Sequence, residues 1–206
     1  MGRLKLGVLG GTFDPPHIGH LILAEEARLT LGLGEVLFVP AGAPWRKAGQ
    51  ELSPREDRLS MVRLAVGDSP DFAVSTLEIE REGPSYTAET LTALRDQFGL
   101  ETEFFFIMGA DSLADFPHWH EPQRILELAR LAVAERPEPE DVALEEGLAE
   151  DLARAMRERV VWLRMPLVAI SASAVRERVR RGLSIRYWVP PDVEEYIRKH
   201  GLYAGG

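Results

Sequence analysis

The sequence predicts an α/β protein with a doubly wound, open parallel sheet and a small C-terminal helical region. Short apolar runs alternate with amphipathic stretches of helical length, which is typical of strands joined by crossover helices. The chain shows no internal repeat, low-complexity tract or inter-domain linker. We therefore expect residues 1–206 to form one domain, with its helical portion at about 171–206.

The elements follow from apolar periodicity and from glycine or proline stops. Strands are predicted over Leu4–Leu9, Glu35–Pro40, Phe72–Ile79, Glu103–Met108, Leu131–Ala134 and Val160–Leu163, with an extended segment at Leu167–Ile170. Helices are predicted over Ile18–Leu31, Thr87–Phe98, Gln123–Ala129, Ser173–Arg181 and Asp192–His200. A capping box at Ser53–Glu56 opens a further helix to about Val66, with proline at its first position. The strand that ends at Met108 is expected to lead into a loop through Asp111 to His120, and 138–159 is expected to be a weakly helical surface excursion.

Composition limits the class of protein. The chain is 45% hydrophobic, which is enough for a core, and it contains no apolar run of the length that spans a membrane. A net charge of -9 argues against a nucleic-acid-binding protein. The absence of cysteine excludes disulfides and thiolate metal sites. With no signal-type cleavage region at the N-terminus, a cytoplasmic enzyme is the simplest expectation.

Residues 10–21, G-G-T-F-D-P-P-H-I-G-H-L, occupy the turn after the first strand. Gly10 and Gly11 allow a ligand to approach the backbone. The prolines stiffen the loop, and the helix that follows offers free N–H groups to an anion. His17 and His20 are three residues apart and so share one face of the first turn. A turn without function and a metal site are the alternatives, but too few other histidines exist to complete a metal site.

This stretch resembles the signature of the H-x-G-H nucleotidyltransferase superfamily, which implies a Rossmann-like nucleotidyltransferase fold. The resemblance implies that Gly10, Gly11, Thr12, Phe13, His17 and His20 bind ATP. In that superfamily the histidines stabilise the triphosphate as charge moves onto the leaving pyrophosphate, without a covalent intermediate.

Two distant segments support this interpretation. Ile170–Arg176, I-S-A-S-A-V-R, precedes a helix whose N-terminus would be capped by Ser171 and Ser173. It resembles the superfamily motif I-S-S-T-x-I-R, in which Arg176 would bind phosphate with Ser171 and Ser173; Ala172 departs from that motif. Lys47 ends a proline-rich segment that resembles the family's and could reach the phosphates.

Three further stretches bear on the acceptor: E-R-E-G-P-S-Y-T at 80–87, G-A-D at 109–111 and R-P at 136–137. Together they resemble the bacterial nicotinate-nucleotide adenylyltransferase family, as does the C-terminal region from Tyr187 to Tyr203. The resemblance is weakest over 138–159.

The resemblance implies transfer of the adenylyl group of ATP to nicotinate mononucleotide, with Mg²⁺, as a step of NAD biosynthesis. It implies that Trp119 stacks on the pyridine ring and that Tyr86 and Thr87 frame its carboxylate. Asp111 would hold ribose or nucleotide, and Arg136 would bind the mononucleotide. His17, His20 and Arg176 would be the catalytic residues, and no side chain is assigned as a metal ligand.

Two alternatives remain open: a phosphopantetheine adenylyltransferase-like enzyme, and a non-catalytic sensor of ATP and pyridine nucleotides. ATP and nicotinate mononucleotide are the expected partners, without nucleic acid or membrane. The sequence leaves open the oligomeric state and the preference for the acid or the amide mononucleotide.

Overall fold

A computed structural model describes residues 3–45, 49, 51–134 and 149–205. Its described part contains six strands, all parallel: β1 (Lys5–Gly11), β2 (Glu35–Pro40), β3 (Phe72–Val74), β4 (Glu103–Gly109), β5 (Ala129–Ala134) and β6 (Val160–Leu163). They form one sheet in the order β3-β2-β1-β4-β5-β6. The order reverses between β1 and β4, as it does in doubly wound sheets. The predicted fold class is therefore confirmed.

Helices connect these strands and follow the last of them. They are α1 (Ile18–Leu31), α2 (Arg55–Val66), α3 (Leu77–Glu80), α4 (Thr87–Phe98), α5 (Ala110–Asp115), α6 (Pro122–Leu128), α7 (Glu150–Arg159), α8 (Ala172–Arg180) and α9 (Pro191–His200). A 3₁₀ turn spans Phe116–His118. The predicted bounds of α1, β2 and α4 are confirmed to the residue. The two helices end where predicted because a glycine follows each of them and stops it.

The chain divides into two compact units. Unit 1 comprises Met1–Gly10, Leu23–Leu37 and Tyr86–Leu167; unit 2 comprises Gly11–Ile22, Phe38–Ser85 and Val168–Gly206. The single-domain interpretation stays a prediction.

Each unit has its own buried residues. In unit 1 they include the apolar runs of β4 and β5, which pair in parallel with Phe104 opposite Ala129. In unit 2, Met61 and Ala65 of α2 pack with Val193 and Ile197 of α9 and with Val175 of α8. This burial of apolar area is the main stabilising contribution in both units.

Two predicted elements are wrong. The strand predicted over Phe72–Ile79 ends at Val74, where the Ser75 hydroxyl accepts a hydrogen bond from the Leu77 N–H and a helical turn begins. The loop predicted through Asp111 to His120 is instead largely helical, because α5 and the 3₁₀ turn lie there. Leu113 and Phe116, three residues apart, are both fully buried and hold that helical segment in place.

Three smaller differences concern loops and caps. Ser53 forms no capping box, because its N–H and carbonyl bind Asp14 and Arg58 instead. No strand forms over Leu167–Ile170. Of the segment predicted as a surface excursion, 138–148 lies outside the described residues. The remainder is largely α7, which buries Leu152, Ala153 and Met156.

Candidate active site

The loop that joins β1 to α1 is shaped by Phe13. This residue has a positive φ of 50°, a conformation that costs a non-glycine residue energy and needs support from its surroundings. Its buried ring supplies that support, since it packs on Phe38 and meets the edge of the His20 ring at 5.0 Å between centroids. A Cβ on Gly11 would lie 3.0 Å from the Phe13 ring, so glycine is needed where the ring passes.

His17 and His20 form a stacked pair with ring centroids 3.7 Å apart. The His17 backbone N–H donates to Nδ1 of His20 at 3.1 Å. Because Nδ1 of His20 accepts this bond, the His20 proton is on Nε2, which is the atom able to donate to a ligand. Gly19 leaves room for the His17 ring, since a Cβ on residue 19 would lie 3.0 Å from His17 Nδ1.

The start of α1 differs from the expectation of free N–H groups. The His17 N–H is taken by His20, and the Ile18 N–H donates to the Trp188 carbonyl at 2.9 Å. Both groups are thus saturated within the protein. The imidazole rings, more than these backbone amides, are what this helix start offers to an anion.

His17 is 8% exposed, and its Nδ1 is buried with no hydrogen-bond partner in the described part of the chain. Burial lowers the pKa of His17 to about 4, because a charged imidazolium would lose its hydration. The ring is therefore neutral at pH 7 in the absence of a ligand.

This buried imidazole predicts a pH-dependent stability. The unfolded side chain binds a proton near pH 6.5 and the folded one only near pH 4, so its contribution is present above pH 6.5 and is lost as pH falls towards 4. We expect the free energy of unfolding of the wild type, minus that of His17→Asn, to fall by roughly 3 kcal/mol between pH 7 and pH 4. Urea unfolding at several pH values measures it. His118→Asn, which removes a largely exposed imidazole, is the control.

Arg176 brings the two distant motifs together. Its Nη1 donates to the Asp14 carbonyl at 2.7 Å, and its Nη2 donates to the Ser173 hydroxyl at 3.3 Å. Ser171 caps α8 by accepting from the Ala174 N–H, as predicted. Ser173 does not cap the helix, because it is the second residue of α8 and its hydroxyl accepts from Arg176. The guanidinium of Arg176 is therefore held against the loop that carries the histidines.

Sequence reasoning missed Asp14 and Tyr203. The Asp14 carboxylate is 1% exposed. It accepts one hydrogen bond from the Ser53 N–H at 3.2 Å and another from the Tyr203 hydroxyl at 2.6 Å. Burial and this carboxylate raise the pKa of Tyr203, so its hydroxyl stays protonated and donates. The aspartate within G-T-F-D-P-P was visible in the sequence, but its partners were not.

Arg58 was missed as well. It is 2% exposed and donates to the carbonyls of Thr12, Ser53, Ala41 and Gly42 at 2.6–3.1 Å. Burial lowers its pKa from the usual range, while the neighbouring Asp14 opposes that change. Arg58 thus links α2 to the backbone that follows β2 and to residues 12–17 between β1 and α1, the histidine loop. It does so through backbone carbonyls alone.

Four residues assigned to the second substrate are described, and they lie in unit 1: Tyr86, Thr87, Asp111 and Trp119. Tyr86 immediately precedes α4, which begins at Thr87, as predicted, and its ring stacks on His120 with centroids 4.2 Å apart. Trp119 is half-buried and packs edge-on against Phe106 and, tilted, against Phe116. Asp111 is exposed in the first turn of α5, in a helix and not in the predicted turn. His120 had not been singled out in the sequence.

The remaining predicted residues divide into two groups. Gly10 lies near the end of β1, where a Cβ would be 3.3 Å from the Phe106 ring, and Thr12 accepts from Arg58 through its carbonyl. Lys47 and Arg136 lie outside the described residues, so their roles stay predictions.

Over the described residues, no group of three or more histidine, aspartate and glutamate side chains is placed to hold a metal ion. In that same part of the chain, every helix is too short or too polar to cross a membrane.

The chain was compared with known proteins. The model of the cytidylyltransferase-like family matches residues 8–178. A protein of Thermomicrobium roseum named "Probable nicotinate-nucleotide adenylyltransferase" is 49% identical over 201 residues, which cover 97% of this chain and 91% of that protein. The protein of the same name from Roseiflexus sp. is 47% identical over 203 residues, covering 98% and 100%. The structure of Plasmodium falciparum nicotinic acid mononucleotide adenylyltransferase complexed with NaAD has a TM-score of 0.75 at 17% identity, covers 97% of both chains and shows a shared fold.

Proposed function

We propose, because this chain belongs to the family of nicotinate-nucleotide adenylyltransferases, that it transfers the adenylyl group of ATP to nicotinate mononucleotide in NAD biosynthesis. The products are nicotinate adenine dinucleotide and pyrophosphate. The observation that carries the proposal is that Arg176, on α8, donates to the carbonyl of Asp14, 162 residues away, in the loop that leads to the stacked pair of His17 and His20.

The reaction is an in-line displacement at phosphorus. A 5′-phosphate oxygen of the mononucleotide forms a bond to the α-phosphorus of ATP, and the bond from that phosphorus to the oxygen bridging to the β-phosphate breaks. The electron pair leaves with pyrophosphate. The attacking phosphate is already ionised at neutral pH, so no general base is needed, and rate enhancement comes from positioning and charge neutralisation.

Of the three catalytic residues, His20 and Arg176 act on the triphosphate directly and His17 acts through His20. His20 donates its Nε2–H to a phosphate oxygen, and Arg176 supplies a fixed positive charge held by the Asp14 carbonyl. His17 orients His20 through its backbone N–H and stacked ring. The hydrogen bond from His20 and the charge interaction of Arg176 both strengthen as negative charge moves onto the leaving pyrophosphate. Gly10, Gly11, Thr12, Phe13, Lys47, Ser171 and Ser173 complete the ATP-binding set.

The family acts on ATP, usually with a divalent metal, and we assign Mg²⁺ here. Mg²⁺ commonly binds through substrate phosphates and water with few protein ligands. The donor set fits this mode, because the buried Asp14 carboxylate is already bonded to Tyr203 and Ser53. The ion would neutralise phosphate charge when bound with ATP.

For the second substrate we propose that Trp119 stacks on the pyridine ring, with Tyr86 and Thr87 at its carboxylate. Asp111 contacts ribose or nucleotide, and Arg136 binds the mononucleotide. The exposed fraction of Trp119 and the position of Thr87 at the start of α4 support these roles. We further propose cytoplasmic location and small-molecule partners alone, as suits a net charge of -9.

Acceptor choice tests the proposal. With ATP and Mg²⁺, pyrophosphate release should be fastest with nicotinate mononucleotide, compared with nicotinamide mononucleotide and phosphopantetheine added one at a time. Chelation of the metal should reduce release to background. Release with phosphopantetheine alone would support the alternative transferase, and release with none of the three would support a sensor.

A further inference from the structure

The C-terminal segment contains a tyrosine whose hydroxyl reaches the histidine loop. Tyr203 follows α9 and donates to Asp14 Oδ1 at 2.6 Å, across 189 residues of sequence. Asp14 is 1% exposed, so water does not compete for this bond.

Asp14 links Tyr203 to the phosphate-binding arginine. Its carboxylate is anchored on one oxygen by Tyr203 and on the other by the Ser53 N–H. Its backbone carbonyl accepts from Arg176 Nη1 at 2.7 Å. The direction of that carbonyl depends on the orientation of the whole residue, which the two carboxylate bonds hold.

We propose that Tyr203 is a positioning residue for ATP: by anchoring the Asp14 carboxylate it fixes the carbonyl that orients Arg176. This inference rests on the proposed function, in which Arg176 binds the triphosphate. Tyr203 itself acts through Asp14 and makes no assigned contact with substrate.

The neighbouring backbone explains why one hydroxyl matters. Phe13 precedes Asp14 and has a φ of 50°, so this part of the loop keeps its conformation only while its surroundings hold it. Loss of the Tyr203 hydroxyl leaves one oxygen of a buried carboxylate without its donor, and the loop then gains by rearranging. A rearranged Asp14 carbonyl no longer holds Arg176.

The chain supplies a matched control. Tyr196, on α9, donates its hydroxyl to Asp57 Oδ1 at 2.7 Å. Tyr196→Phe therefore removes the same kind of tyrosine–carboxylate bond from the same C-terminal segment, but one that does not reach the histidine loop.

Steady-state pyrophosphate release is measured for wild type, Tyr203→Phe and Tyr196→Phe, with ATP and nicotinate mononucleotide varied in turn. We expect Tyr203→Phe to raise the KM for ATP about tenfold and to change the KM for the mononucleotide less than about twofold. Tyr196→Phe should leave both constants within about twofold of wild type. Thermal unfolding of each variant sets an assay temperature at which all three are folded.

A binding readout separates this inference from the proposed function. Calorimetric affinity for α,β-methylene-ATP needs no turnover and should weaken about tenfold in Tyr203→Phe alone. A wild type that binds the analogue but releases no pyrophosphate contradicts the proposed function and leaves this comparison intact. An unchanged ATP constant in Tyr203→Phe, an equal rise in both substrates' KM, or an equal effect of Tyr196→Phe would overturn the inference. If Tyr203→Phe does not fold, Asp14→Ala, which removes the acceptor of the Tyr203 hydroxyl, must show the same rise in the KM for ATP, with a change of less than about twofold in the KM for the mononucleotide.

Discussion

Replacement of His20 with alanine is expected to lower kcat for adenylyl transfer by about 10²–10³-fold while the protein stays folded. The reason is that Nε2 of His20 carries the proton that would be donated to the triphosphate, since Nδ1 accepts from the His17 N–H. The interaction strengthens as charge develops on the leaving pyrophosphate, so its loss affects kcat more than the KM for ATP. Initial rates of pyrophosphate release, with far-UV circular dichroism of the same samples, measure it.

His200→Ala is the control for this experiment. His200 lies exposed at the end of α9, where it stacks on Tyr196. Its replacement should leave kcat within about twofold of wild type. Near-normal turnover of a folded His20→Ala protein, or its unfolding, would contradict the role given to His20.

The largest loss of stability is expected for Arg58→Met, at about 3–5 kcal/mol in the free energy of unfolding. The guanidinium donates to four backbone carbonyls from a side chain that is 2% exposed. Methionine fills similar volume but donates nothing, so those carbonyls lose their partner and the buried Asp14 carboxylate loses a nearby positive charge. Urea unfolding at pH 7 measures the change.

Arg63→Met tests whether the effect is specific to the buried arginine. Arg63 lies on the same helix, α2, and its side chain is exposed. The same substitution there should change stability by less than about 0.5 kcal/mol. Equal losses for the two variants would show that Arg58 contributes mainly through helix propensity and not through its four hydrogen bonds.

Local patterns predicted the framework. Strands alternate with helices in the sequence, and α1 and α4 have clear helical periodicity. These patterns place the histidine loop directly after the first strand, and this position predicted that its residues belong to the site. Errors arose where a short element is decided by packing. Leu113 and Phe116 form a helical segment too short for its periodicity to be recognised.

The long-range hydrogen bonds that hold the site in place could not be predicted from the sequence. Arg58 and Thr12 are 46 residues apart, and Tyr203 and Asp14 are 189 apart. No local pattern marks such partners, because an arginine in an amphipathic helix and a tyrosine beyond a helix end are ordinary surface residues by composition. Only the fold shows that Arg58 is buried and that the half-buried Tyr203 reaches Asp14.

The Asp14–Tyr203 bond also has a consequence for synthesis of the chain. Asp14 is translated 189 residues before its partner. At ~5–20 residues per second a bacterial or eukaryotic ribosome needs roughly 10 to 40 s to cover that distance. For that time a nascent chain contains the complete histidine motif but lacks Tyr203, one of the two groups that hold the Asp14 carboxylate. The Asp14 carboxylate can therefore gain its bond from Tyr203 only after translation has passed Tyr203.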